Sequence, residues 1–448
     1  MTVAECIDEG LAKATAGQLR EAALSFCQAV KLDPKVAESH QRLGEVLLAL
    51  DYWDDAQACF RQAIELNPNY AEAHNYLGVV LKHQECLDEA TSCYHKAVKL
   101  NPDYYEAYHN LGNCLKFAFR FAEAEAAYCR ALELKPDLLK SRFSLAILYL
   151  QLGQYDKGWK LYDSRLNWQE KFRLPIPIWQ GEALKDRKIL LFYEQGFGDT
   201  IQFIRYAYQV AELAETTVWI QKPLERLIVN RNAGFSVCDG SHIDSEQFDF
   251  ACSLMSLPAK FISSAAGIPS GVPYLQAASD ISAKWREKIS KAADDRLKVG
   301  IVWAGNPEHS DDHNRSIAFD VFAKLFTVTG ITWVSLQVGR TAAANAGITE
   351  QIMDFTCDFS DFAETAGMID NLDLVIAVDT AVAHLAGAMG KATWLLLPYR
   401  PDWRWGLVSE ASPWYQGMRL FRQDKLGDWQ NVLDQVIKAL QDMNKGEL

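Results

Sequence analysis

The chain has 448 residues, of which 49% are hydrophobic and 23% are charged, and its formal net charge is −13. A chain of this length and composition is expected to bury a large core and to fold into two or three domains. Its acidity and the lack of a basic stripe argue against nucleic acid as a partner.

The first residues, the apolar runs and the cysteines of the chain bear on its cellular location. The start, MTVAECIDEG, has neither the basic nor the apolar region of a signal peptide, and the longest apolar runs are too short for a transmembrane segment. None of the ten cysteines belongs to a C-x-x-C pair. Free thiols in a reducing, cytoplasmic setting are therefore expected.

A 34-residue period runs through the first third of the chain. Prolines that are expected to end helices recur at Pro34, Pro68, Pro102 and Pro136. Small and aromatic residues keep the same period, at Gly10, Gly44, Gly78 and Gly112, at Ala22, Ala56, Ala90 and Ala124, and at Phe26, Phe60, Tyr94, Tyr128 and Tyr162. Small residues would let two helices approach, and each aromatic ring would fill the gap against the next hairpin. The pattern predicts about five helical hairpins.

This pattern resembles the tetratricopeptide repeat, which implies an α-solenoid over residues 1–168. The array's usual role is to bind a peptide or protein along the concave face that the first helix of each repeat lines. The residues expected in that groove are Gln41, Asn75, His109 and Asn113. The alternative is that the array forms a homodimer interface or supports the C-terminal part.

Strands and helices alternate beyond the repeats. The predicted strands include KILLFYE, TTVWIQ, LKVGIVWAG, TWVSLQ, LDLVIAV and ATWLLLP, and DTIQFIRYAYQVAELA is predicted as a helix. This order predicts parallel sheets covered on both faces. Two such runs indicate two Rossmann-like domains, residues 169–280 and 281–448, and an amphipathic helix closes the second. Ligands are expected at the carboxyl ends of the strands.

The stretch YEQGFGDT follows the first of these strands. Gly196 and Gly198 would form a tight turn that lets a ligand or the opposing domain approach the backbone. Asp199 is expected at the N-cap of the next helix, and capping alone would explain an aspartate there. The alternative is that Asp199 is a catalytic base, a role for which Glu194 at the end of the same strand is the rival.

A second stretch, DLVIAVDTAVAHLAGAMG, carries polar residues at the end of a buried strand. Asp379 and Thr380 lie at its carboxyl end and begin a helix, whose free N–H groups suit a diphosphate. His384 follows about one turn into this helix, where an imidazole can donate to a phosphate or ribose oxygen.

The third stretch, VGIVWAGNPEHSDDHNRSI, places Asn306 and Arg315 in a loop after another strand, where an arginine can clamp phosphate. Gln337 ends the strand in SLQVG and is expected to face the same crevice. The histidines and aspartates of the loop follow no common metal spacing, so no metal site is predicted.

These three stretches, in this order, resemble the bacterial heptosyltransferases, which are GT-B glycosyltransferases, over roughly residues 185–440. The motif DTAVAHLAGAMG is close to the family's D-T-G-x-x-H, with alanine in place of the glycine. The resemblance implies that Asp379, Thr380 and His384 hold a nucleotide-sugar, that Arg315 contacts phosphate and that Asp199 is the catalytic base.

The expected protein is thus an α-solenoid followed by a GT-B fold, a layout similar to protein O-GlcNAc transferases and to bacterial protein glycosyltransferases that modify flagellin. With no D-x-D pair, transfer is expected to need neither a metal nor a cofactor beyond the nucleotide-sugar donor. The acceptor would be a protein that the repeats recognise. Two alternatives remain: a repeat-based interaction protein with a degenerate, non-catalytic transferase domain, and a transferase for lipid-linked or polysaccharide sugar.

Overall fold

The computed structural model describes residues 1–165, 174–229, 234–241, 243–262, 267–269, 271–291, 296–339 and 351–444. It divides into two compact units, Met1–Leu148 and Tyr149–Leu448. The predicted domain boundary at residue 168 lies outside the described residues. An N-terminal helical repeat region followed by a region with parallel sheets is confirmed.

Ten helices in five successive pairs form the repeat region and its continuation. They are α1 Val3–Thr15, α2 Leu19–Leu32, α3 Ala37–Ala49, α4 Trp53–Leu66, α5 Ala71–His83, α6 Leu87–Leu100, α7 Tyr105–Phe117, α8 Phe121–Leu134, α9 Leu139–Gln151 and α10 Tyr155–Tyr162. The second helix of each of the first four pairs ends shortly before a periodic proline, as expected of a residue that cannot donate a backbone hydrogen bond.

The periodic glycines and aromatic residues pack within one hairpin. A Cβ added at Gly10, Gly44, Gly78 or Gly112 would lie 2.6–2.7 Å from the aromatic ring of the paired helix. Those four rings are at most 1% exposed. The expectation that each ring fills the gap to the next hairpin was therefore incomplete, since the ring first covers its own glycine. Phe60 does both, because it also stacks on Tyr76 of the next hairpin with 5.4 Å between centroids.

The first sheet has four parallel strands in the order β3-β2-β1-β4. They are β1 Lys188–Phe192, β2 Glu215–Trp219, β3 Ser236–Cys238 and β4 Phe250–Ser253. The accompanying helices are α11 Phe197–Phe203, α12 Arg205–Ala211, α13 Glu225–Val229 and α14 Pro258–Phe261. The helix predicted after β1 is thus interrupted at Ile204, which separates α11 from α12.

The second sheet has six parallel strands in the order β10-β9-β8-β5-β6-β7. They are β5 Leu297–Val302, β6 Ile331–Ser335, β7 Ile352–Asp354, β8 Leu374–Val378, β9 Thr393–Leu397 and β10 Met418–Arg422. Its helices are α15 Ser279–Ser290, α16 Asp312–Arg315, α17 Phe319–Phe322, α18 Phe362–Asp370, α19 Ala381–Ala388 and α20 Trp429–Asn444. This is the doubly wound strand order, whose direction reverses between β5 and β8.

The core of the second sheet explains its apolar strands. Buried residues of β5, β6, β8 and β9 share one cluster with Val432, Leu433 and Val436, which lie on one face of α20. The predicted domain boundary at residue 280 falls just inside α15, which packs against α18. Throughout the described part of the chain, no helix is long and apolar enough to cross a membrane.

Candidate functional site

A cavity of about 1060 Å³ lies at the carboxyl ends of the strands of the second unit. Its walls come from the loop after β1, from the loops after β5 and β6, and from the segments after β8 and β9. The strand order reverses between β5 and β8, and this is where open parallel sheets bind ligands. The cavity is large enough for a nucleotide-sized molecule.

Nine residues predicted from four separate stretches all line this cavity. They are Gly196, Gly198, Asp199, Asn306, Arg315, Gln337, Asp379, Thr380 and His384. The sequence placed each at a strand end, and the parallel arrangement brings those ends together. The chemical role of each residue stays a prediction.

The position of Asp199 differs from the expected N-cap. Helix α11 begins at Phe197, so Gly196 is the N-cap residue and Asp199 lies in the first turn. Its Oδ2 accepts a hydrogen bond from the Gly196 N–H at 3.0 Å. An acid three positions after the cap reaches back to the cap's own backbone, as the Glu of a capping box does. An aspartate is therefore favoured at the start of this helix, but three residues after the N-cap rather than at the N-cap itself.

Gly198 is the point of closest approach between α11 and α19. A Cβ added there would lie 2.9 Å from Cδ2 of His384 and 3.5 Å from Cα of Ala381. The glycine therefore admits the helix of the second sheet, which is one of the two uses expected for this turn. His384 cannot move away easily, because it is 5% exposed.

We expect Gly198→Ala to lower the free energy of unfolding by about 1–3 kcal/mol, the usual size of overpacking. An alanine in a helix is otherwise slightly stabilising, so a loss would report the contact with His384. Urea denaturation measures it. Gly196→Ala is the control for packing, because a Cβ there would lie 3.4 Å from its nearest neighbour, Asp199 Oδ2, and its expected loss is only the cost of about 1 kcal/mol or less for alanine at an N-cap. If Gly198→Ala is as stable as the parent, the two helices are not in close contact.

Arg404 is a central residue of the site that the sequence did not reveal. Its Nη2 donates to Asp199 Oδ1 at 2.5 Å, and its Nη1 donates to Asp402 Oδ1 at 2.9 Å. Its Nε donates to Gln202 Oε1 at 2.6 Å. The segment RPDWRWG directly follows the strand ATWLLLP at the same sheet edge. That position was the available signal for Asp402, Arg404 and Trp405.

The environment of Asp199 favours a carboxyl group that takes up protons more readily than usual. Burial raises its pKa, and the repulsion from Asp402 adds to this effect, whereas the Arg404 cation opposes both. Burial is the largest of these contributions, so the net direction is upward. A carboxylate with a raised pKa is a better base than an exposed one.

Asp379 and Thr380 occupy the end of β8 and the start of α19. Thr380 is the N-cap residue, yet its hydroxyl donates to the Val378 carbonyl at 3.2 Å and does not cap the helix. Asp379 Oδ2 accepts from Nε1 of Trp405 at 2.9 Å. Burial and the repulsion from Asp402 raise the pKa of Asp379 to about 6. The group therefore changes charge near neutral pH.

His384 is a neutral imidazole in this site. Burial lowers its pKa well below the usual value, and the cations of Arg404, Arg205 and Arg315 lower it further. Its Nδ1 lies 2.8 Å from the hydroxyl of Tyr415. Its Nε2 lies 3.8 Å from Asp379 Oδ1. His384 can thus form a hydrogen bond with a ligand but adds no positive charge at neutral pH.

Arg315 is the predicted residue best placed to meet an anion. Its Nε is buried and has no hydrogen-bond partner among the described residues, and this nitrogen lies 3.7 Å from Asp312 Oδ1. The other two residues predicted on this side of the cavity, Asn306 and Gln337, already accept hydrogen bonds from the backbone. Asn306 Oδ1 accepts from the Glu308 N–H at 3.1 Å. Gln337 Oε1 accepts from the N–H groups of Trp303 and Ala304 at 3.1 and 2.9 Å, which ties the ends of β5 and β6 together.

Glu194, the rival candidate for the base, is held by Arg165 instead. Its Oε1 and Oε2 accept from Nε and Nη2 of Arg165, each at 2.8 Å. The side chains of Arg165 and Glu194 are 2% and 5% exposed. Ser253 donates a further hydrogen bond to Oε2 at 2.6 Å. Of the two predicted candidates, Asp199 is the one that lines the cavity.

The residues predicted for the protein-binding groove have a different local role. Gln41 accepts from Tyr70, and Asn75 accepts from Asn110 and donates to Tyr104. His109 bonds to Ser141 and to Asn113. Gln41, Asn75 and His109 are buried, and Asn113 is half-buried. Most of these bonds join consecutive repeats, so the three buried side chains help to hold the repeats together. Their role in binding a partner stays a prediction.

Comparison with known proteins bears mainly on the repeats. Models described as tetratricopeptide repeat and TPR repeat match residues 69–137 and 52–85. The curated Protein FlbA of Caulobacter vibrioides (strain ATCC 19089 / CIP 103742 / CB 15) is 24% identical over 336 residues, which make up 68% of this chain and 55% of FlbA. The chain thus spans about half the length of that relative.

Three solved structures similar to this chain are MamA and two proteins whose titles call them TPR proteins, YrrB and TTC0263. MamA is 25% identical, covers 36% of this chain and 95% of its own, and has a TM-score of 0.33. YrrB, titled a TPR protein with an unusual peptide-binding site, is 21% identical with a TM-score of 0.31, over 36% of this chain and 82% of its own. TTC0263, a thermophilic TPR protein of Thermus thermophilus, is 23% identical with a TM-score of 0.33, over 39% of this chain and 93% of its own. The family models thus identify tetratricopeptide repeats within residues 52–137, and such repeats indicate protein interaction.

Proposed function

We propose that this protein is a metal-independent GT-B glycosyltransferase that moves a sugar from a nucleotide-sugar to an acceptor hydroxyl. One observation carries the proposal: nine residues chosen from four separate stretches of the sequence line one cavity. A candidate for the catalytic base, Asp199, and a candidate for anion binding, Arg315, lie on its walls. Glycosyl transfer needs both kinds of group.

The donor would bind at the ends of β5 and β8. Its diphosphate meets the N-terminus of α19, where backbone N–H groups and the helix dipole favour negative charge. Arg315 supplies the cation, and its buried Nε has no hydrogen-bond partner among the described residues. The neutral imidazole of His384 adds a hydrogen bond to the donor.

The transfer step follows from these positions. The acceptor hydroxyl gives its proton to the Asp199 carboxylate while its oxygen bonds to the anomeric carbon of the sugar. The bond between that carbon and the diphosphate oxygen breaks, and its electron pair leaves with the nucleoside diphosphate. Arg315 and the N–H groups of α19 stabilise the charge that develops on the leaving group.

The acceptor would be a protein selected by the repeats. Tetratricopeptide arrays present extended surfaces to protein partners. The combination of such repeats and a proposed transferase in one chain favours a polypeptide acceptor over a lipid-linked or polysaccharide sugar. The competing function is an interaction protein whose second unit no longer catalyses, which the same repeats would also suit.

Donor binding is expected to weaken as the pH rises through about 6. Below that pH Asp379 is neutral, and above it the carboxylate repels the diphosphate. Between pH 5 and 7.5 the affinity for a nucleoside diphosphate should fall roughly tenfold more in the parent than in Asp379→Asn. A repulsion of about 1.4 kcal/mol between the carboxylate and the diphosphate corresponds to this tenfold difference. Calorimetric titration with uridine, guanosine, adenosine and thymidine diphosphates measures this.

The Asp379→Asn variant is the matched control, because the ligand's own phosphate titrates identically in both proteins. If none of the four diphosphates binds at any pH, the transferase proposal fails and the interaction function is favoured. If binding occurs and its pH dependence is the same in the variant, the diphosphate does not lie beside Asp379.

A further inference from the structure

We propose that Arg404 is a positioning residue, which holds the Asp199 carboxylate in the orientation and the charge state needed to accept a proton from the acceptor. This rests on the proposed function and adds to it a residue that the sequence resemblance did not assign. Arg404 lies in the short turn Trp403–Trp405 after β9. Asp199 lies in α11 after β1, so the pair joins elements of the two sheets.

Arg404 is itself held firmly. Asp402 Oδ1 accepts from both the backbone N–H and Nη1 of Arg404, at 3.0 and 2.9 Å. Trp414 Nε1 donates to the Arg404 carbonyl at 3.0 Å. The guanidinium lies 4.6 Å from the ring centroid of Trp403 and 5.6 Å from that of Phe203. A planar guanidinium fixed on several sides can impose one geometry on its partner.

Each oxygen of Asp199 has one fixed donor. Oδ1 accepts from Arg404 and Oδ2 accepts from the Gly196 N–H. Two bonds from different elements fix the plane of the carboxylate, and its side chain remains 20% exposed towards the cavity. The remaining lone pairs are thus available to an acceptor hydroxyl.

The charge on Arg404 also matters for Asp199. The charged and titratable groups that act on Asp199 are Arg404, Asp402, Glu194 and Tyr162, and His384 lies against the neighbouring Gly198. Arg404 is the cation among those acting on Asp199, whereas Asp402 and Glu194 raise its pKa. Without Arg404, only the hydrogen bond from the Gly196 N–H would oppose burial and repulsion, and the carboxyl would be protonated at a higher pH.

Arg404 differs from Arg315 in what surrounds it. Arg404 already contacts two carboxylates, Asp199 and Asp402, so little of its charge is available to a diphosphate. Arg315 has one carboxylate within ion-pair distance among the described residues, at 3.7 Å. The two arginines are therefore expected to act on different steps, Arg404 on proton transfer and Arg315 on donor binding.

The test compares Arg404→Gln, Arg404→Lys and Arg315→Gln in the full chain. In Arg404→Gln, the acidic limb of kcat/KM for the acceptor should move to higher pH. Activity at pH 6 should then fall more than activity at pH 8, by up to about tenfold for each pH unit by which the limb moves. Arg404→Lys keeps the charge and should keep the limb near its parental pH. Uridine diphosphate affinity should fall more in Arg315→Gln than in Arg404→Gln.

A second measurement does not need turnover. In urea denaturation, the losses of Asp199→Asn and Arg404→Gln should be clearly non-additive in the double variant, because each removes the same ion pair. Additive losses would overturn the proposal, even if the parent proved to have no transferase activity. An unmoved acidic limb in Arg404→Gln, or a loss of diphosphate binding as large as in Arg315→Gln, would also overturn it.

Discussion

Asp199→Asn is expected to lower turnover by about 10²–10⁴-fold, the usual range for general-base catalysis. An amide has the shape of the carboxylate but cannot accept the proton of an acceptor hydroxyl. Its oxygen can still accept from Gly196 or from Arg404, so the start of α11 should persist. Steady-state kinetics with a saturating donor, together with calorimetry for donor affinity, separates the loss of turnover from a loss of binding.

The control for this variant is Glu287→Gln. Glu287 is an exposed carboxylate on α15 and forms an ion pair with Lys291. Its replacement should leave turnover within the error of measurement. Asp199→Asn with parental turnover would exclude Asp199 as the base. A variant that unfolds would instead show that the carboxylate serves the helix start and the ion pair with Arg404.

Arg165→Gln is expected to lower the free energy of unfolding by about 3–5 kcal/mol, the cost of breaking a buried ion pair by removing one partner. Glu194 would keep its hydrogen bond from Ser253 but lose both bonds from the guanidinium. A carboxylate that is 5% exposed cannot regain them from water. Chemical denaturation, followed by tryptophan fluorescence, measures the change.

Arg187→Gln is the matched control, because it breaks an ion pair of the same kind on the surface. Arg187 and Asp249 are 53% and 32% exposed, so about 0–1 kcal/mol is expected. Replacing both Arg165 and Glu194 with methionine should recover part of the loss, since the charge left without its partner, Asp163, is 44% exposed and not buried. Equal effects of Arg165→Gln and Arg187→Gln would show that the buried pair contributes no more than an exposed one.

The repeats illustrate what sequence could predict well. A tetratricopeptide hairpin packs through residues close in sequence, so the spacing of Gly78 and Tyr94 reports a contact directly. Six of the strands beyond the repeats could also be predicted, because parallel strands buried on both faces tend to be apolar runs. The strands β3, β4, β7 and β10 were not predicted. Polar residues that follow such runs, Asp199, Arg315 and Asp379 among them, could therefore be assigned from the sequence to one end of the sheets.

The groove residues show where prediction from sequence ended. Gln41, Asn75 and His109 lie on the helices expected to line the groove, but the next repeat covers them and takes up their hydrogen bonds. Periodicity identifies the face of a helix. It does not tell how much of that face a neighbour buries, because that depends on side chains in another repeat.

The amino-acid sequence by itself thus determined the repeat architecture, the alternation of strands and helices, and the set of residues that meet at the strand ends. These depend on local spacing and on the rule that parallel strands end together. Tertiary structure alone decided the partners: Arg404 for Asp199, 205 positions away, and Arg165 for Glu194. The physical reason is that an ion pair requires only that two charged groups be within about 4 Å, and no spacing in the sequence encodes which distant segments achieve this.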